Sequence, residues 1–183
     1  MKLQFAARFV GAFFLLLLLW ALSNFSVGYR AAVFRALKVA SPVMTGWWLE
    51  KDEGSKTGVA FEKGEIRMSL EIDPALLSMA HVPLLALIWA TPGLGVRGVL
   101  VRSLVGMAAF FLIHVAVLAV YPVVLARPNW FTDTVGVFSG LLSFVLAPQL
   151  IWFVLTYPRL AELWRLGKPP EARAPAVTSK KPR

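Results

Sequence analysis

The chain has 183 residues, of which 58% are hydrophobic and only 16% charged, with a formal net charge of +9 and no cysteine. That balance lies outside the range of ordinary soluble domains and marks an integral membrane protein, while the missing cysteine excludes disulfides, thiolate metal sites and a cysteine nucleophile. The excess of cations invites a nucleic-acid partner, but its distribution is what membrane orientation requires, so no nucleic acid is expected.

Four stretches carry no Asp, Glu, Lys or Arg: between Arg8 and Arg30, Asp73 and Arg97, Arg102 and Arg127, and Asp133 and Arg159. Each holds the roughly 20 residues that an α-helix needs to cross a bilayer. The fold class expected is an all-α membrane protein of four transmembrane helices, with a small extracytoplasmic α+β insert, an interfacial helix and a β-hairpin, between the first and the second. Residues 1–28 form the first helix, 29–73 the insert, 74–158 a three-helix transmembrane region and 159–183 a basic tail. The insert has as many basic as acidic residues and the third loop is neutral, so the whole excess falls on the amino terminus, the Arg97/Arg102 loop and the tail. Cationic flanks stay in the cytoplasm, so a multi-pass protein with both termini cytoplasmic is expected.

The run Phe13 to Leu19 comes after two basic residues and reads as a signal-peptide core or an uncleaved signal anchor. The anchor is expected, because the charge-free run is long enough to span and has no A-x-A cleavage site after it. From Tyr29 to Val39 the pattern puts Val33, Phe34 and Leu37 on one side of an interfacial helix, with Arg30, Arg35 and Lys38 mostly elsewhere. Pro42 is expected to end that helix. Trp47 and Trp48 then read either as an anchor at headgroup depth or as packing on the rest of the insert. After a polar turn at Lys51 to Lys56, the segments Gly58 to Glu62 and Glu65 to Ile72 read as two strands joined at Lys63-Gly64. In the second, Ile66, Met68, Leu70 and Ile72 alternate with Arg67, Ser69 and Glu71. An isolated hairpin is marginal, so its apolar face needs a cover, either the chain itself or a partner protein. Trp47, Trp48, Ile66, Met68 and Leu70 are accordingly the candidate partner-binding residues.

The second span, Pro74 to Ala90, contains His81 and Pro83, and the proline is expected to kink it. Gly93, Gly95 and Gly98 form a short turn without the strand or lysine of a phosphate loop. The third span, Leu104 to Leu125, carries His114, and Pro128-Asn129-Trp130 turns the chain. In the fourth, Val135 to Tyr157, Gly136, Gly140 and Ser143 offer a small-residue face for close helix contact, with Pro148-Gln149 as its polar break. A basic amphipathic turn, Arg159 to Arg165, leads into a proline- and lysine-rich tail expected to be disordered and drawn to anionic lipid.

Apart from tyrosine, His81 and His114 are the only titratable residues within spans, and such residues usually face a bundle interior. Together they are the candidate cofactor-binding pair, for a haem. Their unequal depth argues against it, and neutral histidines bonded to Ser78, Gln149 or a backbone carbonyl are expected instead, with no firm cofactor and no metal. The carboxylates are interspersed with lysines and form no cluster that would hold a metal or serve a nucleophile, so no catalytic residue and no enzyme is expected.

At the entry to the second span, Asp73-Pro74-Ala75-Leu76-Leu77 and then Val82-Pro83-Leu84-Leu85-Ala86-Leu87-Ile88-Trp89-Ala90-Thr91-Pro92 resemble the small exosortase-associated membrane proteins, above all the exosortase H-associated type. Their plan is similar: one span, an extracytoplasmic insert with a strand pair, three spans and a basic tail. The resemblance implies a bacterial inner-membrane protein working beside an exosortase, a membrane cysteine transpeptidase-like enzyme that processes sorting tags on exported proteins. Such enzymes use Cys, Arg and His, so a chain without cysteine is not the exosortase itself. A non-enzymatic accessory subunit in contact with membrane lipid and a membrane-protein partner, without a small-molecule substrate, is the expected function. The alternative is a haem- or quinone-associated subunit of an electron-transfer complex.

Overall fold

The computed structural model describes residues 2–51, 58–71, 73–126 and 129–165. The polar turn expected after Lys51 and the tail beyond Arg165 lie outside them. The chain is mostly helical with one small antiparallel sheet. Helix α1 covers Lys2–Leu22 and α2 covers Phe25–Thr45. The break comes earlier than expected because the Ser23 hydroxyl donates to the Trp20 carbonyl and accepts from the Phe25 amide, offering the backbone an alternative to the helix.

Tyr29, Val33, Leu37 and Ser41 recur every four residues and form the buried stripe of α2. Pro42 does not stop the helix as expected. It sits one turn from the end, and the helix closes at Gly46, which takes the left-handed conformation at φ 73° and donates its amide to the Pro42 carbonyl. Lys63 donates to the freed Thr45 carbonyl at 3.0 Å, so the sheet fastens the carboxyl end of α2.

The insert holds a three-stranded sheet rather than a hairpin alone. Strands β1 (Trp48–Lys51), β2 (Gly58–Lys63) and β3 (Ile66–Glu71) lie in that order, each pair antiparallel. The extra strand begins at the tryptophan pair and covers the edge that a two-stranded ribbon would leave open. Leu49 faces Phe61, which faces Met68, and Val59 faces Leu70, so one side of the sheet supplies a row to the core. β2, not the more regularly alternating β3, is the buried strand, since it is central. The turn falls at Gly64-Glu65, one residue beyond the expected join. Gly64 has φ 62° and, among the described residues, only glycines have a positive φ, the pattern of a type II′ turn. Gly64→Ala is expected to lower thermal stability in detergent by about 1–2 kcal/mol from backbone strain, since an added Cβ would meet nothing within 4 Å.

The second apolar segment is two helices, α3 (Pro74–Met79) and α4 (His81–Ala90). Asp73 caps α3 by accepting from the Ala75 amide at 2.7 Å, with Pro74 at the first helical position. The kink expected from Pro83 becomes a one-residue interruption at Ala80, because a restart at His81 leaves the proline in a first turn that needs no donor. Trp20 donates to the Ser78 hydroxyl at 3.0 Å and so ties α1 to this break. α4 is buried nearly all round, with Leu84, Ala86, Ile88 and Ala90 fully enclosed, because α1, α5 and α7 surround it.

Helix α5 spans Val96–Leu125 and takes in Arg97, Gly98 and Arg102, which the sequence places in a turn. Arg102 donates to the Leu155 carbonyl at 2.9 Å, tying α5 to the last helix. Asn129 accepts from the Phe131 and Thr132 amides while its own amide donates to the Thr132 hydroxyl, a reciprocal cap that starts α6 at Trp130. α6 (Trp130–Leu141) runs through a π-helical segment, Leu142–Leu146, into α7 (Ala147–Arg165). Pro148 supplies the cause, since its ring cannot sit over the carbonyl four residues earlier, and the widened turn there replaces the polar break expected at Pro148-Gln149. Within α1, Leu3–Leu22 is long and apolar enough to cross a membrane, and so is α5.

Candidate functional site

Where α2, α4 and α5 meet, Tyr29, His81, Phe110 and His114 form one buried cluster. The Tyr29 and His81 rings lie 4.4 Å apart, His81 and Phe110 4.8 Å, and Phe110 and His114 4.3 Å. Phe25 closes one side, edge-on to His81 at 5.5 Å. Such tilted and edge-to-face pairs set ring edges against ring faces and add to the stabilisation by burial.

Each histidine is held through Nδ1. His81 donates from Nδ1 to the Ser78 carbonyl at 2.9 Å, inside its own segment and across the break made by Pro83. A carbonyl only accepts, so the neutral imidazole carries its proton there and leaves Nε2 bare, buried and without a hydrogen-bond partner among the described residues. His114 Nδ1 pairs with the Tyr29 hydroxyl at 2.8 Å, a side chain of α2 that the sequence did not suggest. Burial pushes the Tyr29 hydroxyl well above the ordinary phenol value, so it stays un-ionised and able to donate. Tyr29 is the residue that sequence reasoning missed, although it begins the four-residue stripe that continues through Val33 and Leu37.

The depth mismatch expected between the two histidines does not separate them, for their rings are 6.2 Å apart. The span expected from Leu104 is longer at its start, for α5 begins at Val96 and runs for 30 residues, about 45 Å at the usual rise. Proximity does not make a haem site. Axial ligation needs two imidazoles facing each other across a flat open slot, and here Tyr29 and Phe110 pack on both rings, so a porphyrin does not fit between them. Among the described residues no group of three His, Asp or Glu is placed to hold a metal ion.

Beside the cluster lies an open cleft of about 240 Å³. One wall is a single face of α5, where His114, Val117, Leu118 and Tyr121 recur at helical spacing. The opposite wall is Gly136, Gly140 and Ser143, and Glu71 and Asp73 stand at the mouth near the sheet. The small-residue face expected to make close helix contact therefore borders a gap instead. A Cβ on Gly140 would meet nothing within 4 Å, and one on Gly136 only Val124 and the Tyr121 hydroxyl near 4 Å.

The five candidate partner-binding residues divide. Trp47 is buried in the core with Leu49 and Phe61, and Met68 and Leu70 pack partly against it. Trp48 and Ile66 are 64% and 54% exposed. Trp48 lies beside Glu62 on the side of the sheet away from the core, and Ile66 shares the inner row but pairs with Lys63 at the hairpin end, beyond the core's reach.

Comparison with known proteins finds no matching family profile, no matching characterised protein and no matching solved structure.

Proposed function

We propose that this chain is a non-enzymatic accessory subunit of a bacterial inner-membrane complex, with four spans, cytoplasmic termini and the sheet on the outer side. The spans are α1, the broken pair α3–α4, α5 and the α6–α7 run, and an exosortase is the partner named by the resemblance at Asp73 to Pro92. The alternation of charge supports the orientation. Apolar side chains left exposed along α1, α5 and α6, such as Phe14, Leu104, Leu112, Val137 and Phe138, suit contact with lipid. A short central helix fits this plan, since α4 packs among α1, α5 and α7 and has no need to match the hydrocarbon thickness alone.

The observation that carries the docking role is the division within the sheet. Most of its inner row is taken up by the protein's own core, and Trp48 on the outer face and Ile66 at the hairpin end of the inner row are left over as exposed apolar groups. Aromatic anchors of this kind dominate the energetics of interfaces. The test is purification from the native membrane in mild detergent, comparing wild type with Trp48→Ser/Ile66→Ser. Wild type is expected to bring down one integral membrane partner, and the double variant to lose it while keeping its thermal midpoint, because neither side chain supports the core. Met68→Ser/Leu70→Ser serves as the contrast and lowers the midpoint itself. Co-purification that survives the exposed-pair substitution, or a wild-type protein that elutes alone, overturns the docking role.

A further inference from the structure

We infer that the cleft between α5 and α6 is a binding site for an uncharged membrane amphiphile whose head carries a carbonyl or hydroxyl oxygen. The inference uses the membrane setting of the proposed function but not the partner.

The cleft has the construction of a site rather than of a packing flaw. Apolar helices in contact normally close on their small residues, and Gly136 and Gly140 at a four-residue spacing allow α6 to approach α5 closely. The gap stays open opposite them. Ser143 is 1% exposed, yet its hydroxyl has no hydrogen-bond partner among the described residues. A buried hydroxyl left unmade is costly, and such a group normally has a partner. This one lines the cleft. It also stands within the π-helical segment, a local irregularity found preferentially at functional sites.

Size, polarity and charge define the ligand. A volume of about 240 Å³ exceeds the roughly 150 Å³ cavity that accommodates benzene, so it admits a substituted ring or a short run of alkyl chain. The uncharged polar side chains that line it are Ser143, Tyr121 and His114, and the two hydroxyls suit an oxygen acceptor or another hydroxyl. Glu71 and Asp73 at the mouth repel phosphate and so disfavour the common anionic headgroups. The walls from His114 to Tyr121 extend about 10 Å along α5, with Leu76, Leu77 and Leu118 supplying apolar surface for the rest of the molecule. Isoprenoid quinones, diglycerides and polyprenols share this chemistry.

The test titrates the purified protein in detergent with decylubiquinone, dioctanoylglycerol and geranylgeraniol separately, by calorimetry, with dioctanoyl phosphatidylglycerol as the anionic control. At least one neutral amphiphile is expected to bind saturably, and the strongest of the three identifies the source. Gly140→Leu fills the open space and is expected to weaken binding tenfold or more, with the unfolding midpoint unchanged or raised because leucine favours the helix. Ser143→Ala is expected to weaken it about fivefold, the loss of one ordinary hydrogen bond. Failure of all three ligands, equal binding by phosphatidylglycerol, or unchanged affinity in Gly140→Leu overturns the assignment. The Trp48→Ser/Ile66→Ser protein should bind like wild type, which separates this result from the fate of the docking role.

Discussion

Phe110→Ala is expected to lower the stability of the purified protein by about 3–5 kcal/mol, the range for emptying the space of a buried phenylalanine. The ring is fully enclosed, with His81 and His114 within 5 Å of its centroid and Leu84 and Ile88 in the same apolar cluster. Helices α4 and α5 cannot collapse into the vacancy cheaply, because the imidazoles are already fixed through Nδ1 by the Ser78 carbonyl and the Tyr29 hydroxyl. Reversible unfolding in mixed micelles, monitored by tryptophan fluorescence, measures the loss. A change below about 1 kcal/mol would show that the helices repack, and the cluster would then lose its standing as the centre of the bundle.

Gly106→Leu is the second large effect, expected to cost about 1–3 kcal/mol or more through overpacking. A Cβ added at Gly106 would already stand 3.4 Å from Ile88 and from Leu155 and 3.6 Å from Leu84, so α4, α5 and α7 converge on this position. Alanine fits if those side chains give by tenths of an ångström, while leucine has nowhere to go. The informative comparison is with Gly140→Leu in the same unfolding assay. The two substitutions are chemically identical, yet only Gly106→Leu should lower the midpoint, and equal shifts would contradict the packing described for both helices.

That contrast shows what could be read in the sequence. Gly136 and Gly140 carry the recognised four-residue spacing and yet line a gap, whereas Gly106, isolated among larger residues, marks the true close approach. Spacing reports which face of a helix a residue occupies and is silent about what stands opposite. The stripe Val33 and Leu37, the strands either side of Gly64, and the apolar segments were legible because each is a periodic pattern within one element. β1 was not, since Trp48 to Lys51 has no alternation of its own and becomes a strand only because β2 needs a neighbour. Pro42 and Pro83 were legible as perturbations but not in outcome: the first is absorbed one turn before a glycine cap, the second relocates a helix start. The meeting of His81 with His114 depended on where α5 begins, and helix ends are set by caps and tertiary contacts more than by local composition.

α4 lies enclosed by α1, α5 and α7, and the timing of biosynthesis gives that enclosure a meaning. The ribosome delivers α1 and α4 first, then α5, and the flank of α4 that faces α7 stays bare until α7 arrives. Two polar ties then close it, from Trp152 to Thr91 and from Arg102 to the Leu155 carbonyl, each 2.9 Å long. Before Ala147 and the residues after it are made, that flank of α4 has no cover, so the bundle can close only once α7 is in place.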